Sequence, residues 1–474
     1  MKLNQLSITE AKEGLKQKKF SSLELTKACL ERIKLVDPKI NAFITICENE
    51  SLDKAKWTDK QLSNGTIEQW NNYPLLGIPI SIKDNFCTKG IRTTAASKVL
   101  DDFIPPYDAT VVKKLKDAGA IIIGKTNMDA WAHGSSTETS DYGTTKNPWN
   151  TGHLPGGSSG GAAASMAADE AIAAIGSETA GSIRQPSDWC GVVGLKPTYG
   201  RVSRYGVVAM TSSLDSPGPI VKRVKDAALI LQILAGKDVL DATTSPKPVD
   251  DYLTPLKNSI SGIKIGIADE YFDGVTDQVR EKVLEAIQDI KKMGASIIKI
   301  KLFPPKYTIA VYTILQRAEV SSNLARYDGI RFGNDRTFFA DEAKRRIMLG
   351  TYALSTGYYD QYYNKAQKVR TVIVNDFNDA FKKVDLILAP TNPWTALPLG
   401  ASSQSPMYGE MADALVEPSS IAGLPGINVP CGFSKQGLPV GFQLIGPQLS
   451  ESLILNAAYQ YEQKKEFYKA KPNL

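Results

Sequence analysis

Gly156-Gly157-Ser158-Ser159-Gly160-Gly161 and Gly176-Ser177-Glu178-Thr179-Ala180-Gly181-Ser182-Ile183-Arg184-Gln185-Pro186 are the two stretches that decide how this chain reads. Between them lies an alanine-rich segment, about 161–174, whose composition predicts a buried helix. Glycine lets the backbone turn tightly and approach another group closely. Serine supplies a nucleophile or a proton relay. Two such segments around one apolar element look like the walls of an active site. The glycines alone are also compatible with tight turns or phosphate binding. Neither segment, however, ends in Gly-Lys-Ser/Thr ahead of a helix, as a phosphate loop does.

On either side of these segments, helical and extended patterns alternate. Ser7-Ile8-Thr9-Glu10 and Ser21-Ser22-Leu23-Glu24 are capping boxes, so the first forty residues read as two helices. Residues 51–72 are polar and read as a loop. Leu75 to Ile82 reads as an apolar strand broken by Pro79 and ending at Lys83-Asp84-Asn85. Further helices are predicted over 109–118, 224–235 and 276–293, and further strands over 121–123, 263–267, 297–300, 386–388, 427–429 and 440–445. Residues 310–380 read as mostly helical. This alternation predicts an α/β layered fold around a central sheet. No internal repeat or low-complexity linker divides the chain, so one domain over 1–474 is expected. It comprises an N-terminal helical region (1–72), a core (73–235), and the remaining strands with the helical region (236–474).

Composition narrows the class. With 42% hydrophobic and 22% charged residues, the chain has the balance of a soluble globular protein. It has neither an apolar run long enough to span a membrane nor an N-terminal signal core, so a cytoplasmic location is expected. A net charge of +6 over 474 residues is a mild excess, too diffuse to argue for direct nucleic-acid binding. Lys113-Lys114 and Lys382-Lys383 read as solvated helix faces. Five widely spaced cysteines without a Cys-x-x-Cys pair make a disulfide framework or zinc site improbable and suit a reducing compartment; each reads as a small buried apolar residue.

Only two histidines occur, His133 and His153. A Ser-His-Asp triad has only these to use, and a His-rich metal site cannot be built. A serine nucleophile here therefore calls for another base. Lysine serves if burial lowers its pKa until it is neutral near pH 7. Lys83, following an apolar strand and outside any charge run, suits that role; the other reading is a strand-end lysine pointing to solvent. Ser182 is the leading nucleophile. The small residues before it, Thr179-Ala180-Gly181, can turn their N–H groups on a developing oxyanion, where one donor is worth ~3–4 kcal/mol. Ser158 can bridge Lys83 and Ser182, since a hydroxyl donates and accepts at once.

The Gly156-to-Pro186 stretch resembles the amidase signature family, with its Ser-cis-Ser-Lys triad. The resemblance runs over nearly the whole chain. It is carried by Asn127-Met128-Asp129, Gly134-Ser135-Ser136-Thr137-Glu138, Asn147-Pro148-Trp149 and the run from Gly191 to Gly206. Downstream it is carried by Ser322-Asn323-Leu324, Arg326-Tyr327-Asp328-Gly329, Tyr358-Tyr359-Asp360 and Ala422-Gly423-Leu424-Pro425-Gly426. Within the family, the set is more similar to the A-subunit group of glutamyl-tRNA(Gln) amidotransferases than to a generic amidase. The resemblance implies an α/β/α layered amidase fold with a large mixed sheet covered by helices. It also implies Ser182 as the acyl-forming nucleophile, Ser158 as the cis-serine relay, Lys83 as the base and Thr179-Ala180-Gly181 as the oxyanion hole. It places an arginine on the glutamine α-carboxylate and an aspartate on its amino group. Arg346 and Asp413 are the best matches, with Arg345 competing for the first role. The alternative for Arg345-Arg346 is a helix-surface pair.

The same resemblance implies glutamine as substrate and a heterotrimer with B and C subunits. The B subunit handles Glu-tRNA(Gln) with ATP and magnesium, while this chain binds no cofactor itself. Some positions depart from the family pattern. Glu178 stands where aspartate is usual, and a longer acid still reaches Arg184. Ala180 stands where glycine is usual and requires a negative φ, since a positive one costs about 1 kcal/mol or more. Thr313-Ile314-Leu315-Gln316-Arg317 replaces a usually small-residue, Tyr-containing helix, which bears on Tyr312 as a glutamine contact. Two other readings are a free-standing amidase acting on small amides and a non-catalytic scaffold. Lys83, Ser158 and Ser182 occurring together argue against the scaffold.

Overall fold

A computed structural model describes residues 2–63, 72–405 and 407–474. Its centre is an eleven-stranded mixed sheet. The strands are β1 (Phe43–Ile46), β2 (Pro79–Lys83), β3 (Ile121–Thr126), β4 (Ala173–Glu178), β5 (Val193–Lys196), β6 (Ser216–Val221), β7 (Lys264–Ala268), β8 (Ser296–Ile300), β9 (Leu386–Pro390), β10 (Gly426–Phe433) and β11 (Pro439–Ile445). Their order is β1-β3-β2-β4-β6-β5-β10-β11-β9-β7-β8. β2 runs parallel to β3 and β4, and β7 parallel to β8 and β9; the centre from β4 through β6, β5, β10 and β11 to β9 is antiparallel. Every residue of β2, β3, β4, β5, β6, β9 and β11 is buried. A strand buried along its whole length is covered on both faces, so helices pack on each side. The edge strands β1 and β8 are partly exposed. A contiguous apolar core runs from Ile8 to Tyr461.

The helices predicted from capping boxes and periodicity form at Ile8–Lys16, Ser22–Ile40, Thr110–Asp117, Val224–Leu234 and Asp277–Lys292. Both capping boxes close as the sequence requires. The 310–380 region is helical over Pro305–Leu324, Asp341–Ala353 and Lys365–Phe381. The five cysteines are buried and free.

Several expectations are corrected. Residues 51–63 are not a loop but belong to a helix, Glu48–Ser63; residues 64–71 of that expectation lie outside the described part. Its buried stripe is Ser51, Ala55 and Thr58, too small and polar to register as apolar periodicity. The alanine-rich helix spans Gly160–Ala167 and stops short of 174. Asp169 takes a left-handed φ of 59°, and the chain re-enters the sheet as β4. Gly176-Ser177-Glu178 forms the end of that strand. β6 reads Ser-Pro-Gly-Pro-Ile-Val, a composition that disguises a strand. Its Gly218 is required, because a Cβ there would lie 2.1 Å from the Leu195 carbonyl of the neighbouring strand. Leu75–Gly77 lies in a turn ahead of β2, and the strand begins only at Pro79. Lys114, expected to be solvated, donates to the carbonyls of Leu234 and Ala235 at 2.9 Å.

Candidate active site

β2 and β4 lie side by side and parallel, with Ile82 opposite Ile175. Their carboxyl ends therefore deliver Lys83 and Ser177-Glu178 to the same edge, where open α/β sheets place their sites. The helix Gly160–Ala167 begins at that edge, so the segment preceding it brings Ser158 and Ser159 there too. Lys83 Nζ donates to Ser158 Oγ at 2.7 Å, to Ser159 Oγ at 2.9 Å and to the Ser177 carbonyl at 3.1 Å. The lysine is fully buried. Burial pushes its pKa down to about 7, against the opposing pull of Asp129, Asp215 and Glu178. It is thus a buried amine that exchanges a proton near neutral pH, not a strand-end cation in solvent; protonated, it donates to all three oxygens, and neutral, it keeps two N–H donors and opens a lone pair to a serine hydroxyl. The Gly157–Ser158 peptide is cis.

Ser182 adjoins this pair: its carbonyl accepts from the Ser159 amide at 3.2 Å. Its hydroxyl has no hydrogen-bond partner among the described residues, and the residue is 4% exposed. The chain leaves β4 at Glu178, and the amides of Thr179, Ala180, Gly181 and Ser182 donate to no acceptor among the described residues. Four consecutive unsatisfied donors beside a buried serine are what an oxyanion site needs. The loop is held from behind. The Thr179 hydroxyl donates to Asp215 at 2.7 Å, and the Ala180 carbonyl accepts from Ser420 Oγ at 2.6 Å. Ala180 is not in the left-handed region, so its methyl carries no backbone strain.

Glu178 reaches Arg184 through a short buried ion pair. The guanidinium donates to Glu178 Oε1 at 2.9 and 2.6 Å, and Glu178 Oε2 accepts the amides of Ile183 and Arg184 at 3.0 Å. Arg184 also donates to Ser419, Ser420, Gln443 and the Val416 carbonyl. One fully buried guanidinium thus ties the loop bearing Ser182 to the segment 416–420 and to β11.

Of the remaining site residues, Asp413 lies against the loop. Its Oδ2 accepts from Ser135 Oγ at 2.8 Å, while Oδ1 is buried without a partner. A Cβ on Gly181 would stand 2.4 Å from that Oδ1, so only glycine lets the carboxylate lie against the loop. Burial, reinforced by Glu178 and Glu410 and opposed by Ser135, pushes Asp413 well above the usual carboxylate range. Arg346 is buried and donates through Nε to Glu342 at 2.6 Å; Arg345, half-exposed, takes the other Glu342 oxygen. Both arginines line a cavity of about 480 Å³ with His133, Ser135, Ser136, Tyr408 and Glu410. Tyr312 is buried on the helix Pro305–Leu324, and its phenol is pushed up by burial.

Among the described residues, neither histidine ring hydrogen-bonds to a serine. His133 is buried with both ring nitrogens unpartnered, and burial with the nearby Arg346 and Arg317 holds it well below its ordinary pKa. Three contributors escaped the sequence reading. Ser159 shares Lys83 with Ser158. Asp129 accepts from Ser136 and Thr139 and packs against Gly157, where a Cβ would sit 2.1 Å away. Gln185 accepts the Gly157 amide at 2.9 Å. Asp129 and Gln185 lie inside quoted motifs, but nothing in their spacing assigns a role.

The family model for amidase matches residues 24–455. The A subunit of the glutamyl-tRNA(Gln) amidotransferase of Thermoanaerobacter pseudethanolicus is 51% identical, over 100% of this chain and 99% of that protein. The protein of the same name from Prochlorococcus marinus is 50% identical, over 98% and 99%. The crystal structure of the corresponding glutamyl-tRNA(Gln) amidotransferase chain from Thermotoga maritima superposes with a TM-score of 0.81 at 40% identity, covering 98% of this chain and 95% of that one. The chain belongs to the amidase family, and its full-length likeness is to glutamyl-tRNA(Gln) amidotransferase A subunits.

Proposed function

We propose that the chain is the glutaminase subunit of a glutamyl-tRNA(Gln) amidotransferase. The observation that carries this reading is the buried Lys83 amine on Ser158 and Ser159, beside four free amides that lead into Ser182. The α-carboxylate of glutamine pairs with Arg346, for which a planar guanidinium is apt. Its amino group faces Asp413, and Tyr312 lies on the adjoining helix. Ser182 Oγ attacks the side-chain amide carbon. Its proton passes through the Ser158 hydroxyl to neutral Lys83, and the Thr179, Ala180 and Gly181 amides hold the oxyanion. The C–N bond then breaks, Lys83 returns the proton by the same relay to the departing nitrogen, and ammonia leaves. Water adds to the resulting ester by the same proton path. Glutamate departs and Ser182 is regenerated, so one glutamine and one water give one glutamate and one ammonia.

The ammonia converts Glu-tRNA(Gln) to Gln-tRNA(Gln) on a partner B subunit that uses ATP and magnesium, in a cytoplasmic heterotrimer completed by a C subunit. No helix among the described residues is long and apolar enough to cross a membrane. The test is tRNA amidation by the reconstituted complex with two nitrogen donors. A Lys83→Met complex loses amidation with glutamine and keeps it with ammonium chloride. Loss of both, or of neither, contradicts the assignment. Robust turnover of simple amides by the isolated chain would instead identify a free-standing amidase.

A further inference from the structure

Arg317 and Glu410 form an ion pair that the mechanism above does not use. Arg317 Nη2 donates to Glu410 Oε1 at 2.8 Å, and the side chains are 7% and 4% exposed. Burying such a pair costs several kcal/mol of desolvation. This one is not fully satisfied either, because Arg317 Nε and Nη1 are buried without partners among the described residues. The carboxylate end sits differently. Glu410 lines the 480 Å³ cavity beside Ser135 and Arg346, and its second oxygen makes no hydrogen bond to a described residue.

Glu410 lies in the short helix Tyr408–Ala412, three residues before Asp413, a spacing that puts two side chains on one side. Ser135 joins them, donating to the Gly409 carbonyl at 3.2 Å and to Asp413 Oδ2 at 2.8 Å. Asp413 presents its unpartnered Oδ1 next to Gly181. A cavity wall holding Arg346 and Glu410 together suits a zwitterion, since an α-amino acid carries its ammonium and carboxylate on one carbon. Burial also pushes Asp413 well above the usual carboxylate range.

We propose that Glu410, held in place by Arg317, is a further specificity-determining contact that shares the α-ammonium of the substrate with Asp413. Arg317 is then a positioning residue: it fixes one Glu410 oxygen and leaves the other for substrate. This rests on the glutaminase reading and adds to it a reason for preferring α-amino acids over amides that lack the amino group.

The test compares glutamine with 4-carbamoylbutanoate, which is glutamine without its amino group, as substrates of the assembled complex. Glu410→Gln raises KM for glutamine about tenfold or more and leaves the KM for 4-carbamoylbutanoate within about twofold of wild type. Arg317→Met repeats the pattern, and Glu410→Asp recovers part of the glutamine affinity. Equal weakening of both substrates, or lost kcat at unchanged KM, overturns the inference in favour of a purely structural pair. If Glu410→Gln does not fold, Arg317→Lys carries the test, with a KM increase of about three- to tenfold confined to glutamine; no such increase overturns the inference. A wild-type complex that fails to hydrolyse glutamine defeats the underlying reading. One that hydrolyses glutamine while Glu410→Gln leaves KM unchanged defeats only this inference.

Discussion

Replacing Lys83 with methionine should make the protein inactive and, near neutral pH, more stable. In the unfolded chain this lysine keeps its proton up to its ordinary value of 10.5; in the fold, burial lowers that to about 7. At about 1.4 kcal/mol per tenfold change in protonation equilibrium, the difference amounts to roughly 5 kcal/mol. Methionine avoids this cost but forfeits the hydrogen bonds to Ser158, Ser159 and Ser177, at about 1 kcal/mol each. At pH 7.5 about 4 kcal/mol of the penalty remains, so a net gain of about 1 kcal/mol follows. Its pH dependence is the sharper signature. Between about 7 and 10.5 the unfolded state binds one proton more than the folded state, so wild-type stability rises with pH. Below that window the penalty is complete, and above it the penalty is gone. Lys83→Met lacks this dependence, so its stability relative to wild type should fall by about 2–3 kcal/mol between pH 7.5 and 9.5, turning a small advantage into a deficit. Urea unfolding of both proteins across that range measures it. A stability difference that stays constant with pH would refute the claim of a buried, depressed lysine.

Other consequences are as direct. Because the base acts when neutral, kcat/KM for glutamine should climb with pH to half its maximum near about 7; ammonia release measured from pH 6 to 9 tests this, and a flat profile contradicts it. Gly181→Ala puts a methyl 2.4 Å from Asp413 Oδ1 and from Val416 Cγ2, which should lower kcat/KM about tenfold or more by shifting both loops; unaltered kinetics would show that the loops do not need this close approach. Arg184→Met strands Glu178 as a buried unpaired charge and should cost about 3–5 kcal/mol in urea unfolding; a loss under about 1 kcal/mol would mean the pair does not tie the loop to 416–420.

The sequence is most informative where local chemistry and local structure agree. Ser7 and Glu10 cap a helix because they are three residues apart, and no distant contact is needed. The strands rich in isoleucine and leucine, β3 and β9, declare themselves for the same reason. β6 does not, because its glycine answers to the neighbouring Leu195 carbonyl and its two prolines run against strand propensity. The helix Glu48–Ser63 hides its buried face in serine, alanine and threonine. At the site, the scarcity of histidine points to a lysine base, and Lys83 lies against Ser158. What stays illegible depends on long-range contact. Ser135 meets Asp413, and Arg317 meets Glu410, across separations of 278 and 93 residues. The choice between Arg345 and Arg346 as glutamine contact is open in the sequence; burial distinguishes them, leaving Arg345 half-exposed and Arg346 covered.

The central claim is that Ser182 forms the acyl intermediate with Ser158 and Lys83 as its relay. An electrophilic glutamine analogue incubated with the complex, followed by peptide mass spectrometry, tests it directly. The account predicts one covalent adduct on Ser182, absent from Ser182→Ala and suppressed by Lys83→Met. An adduct on Ser158, Ser159 or any cysteine, with Ser182 unmodified, would contradict it.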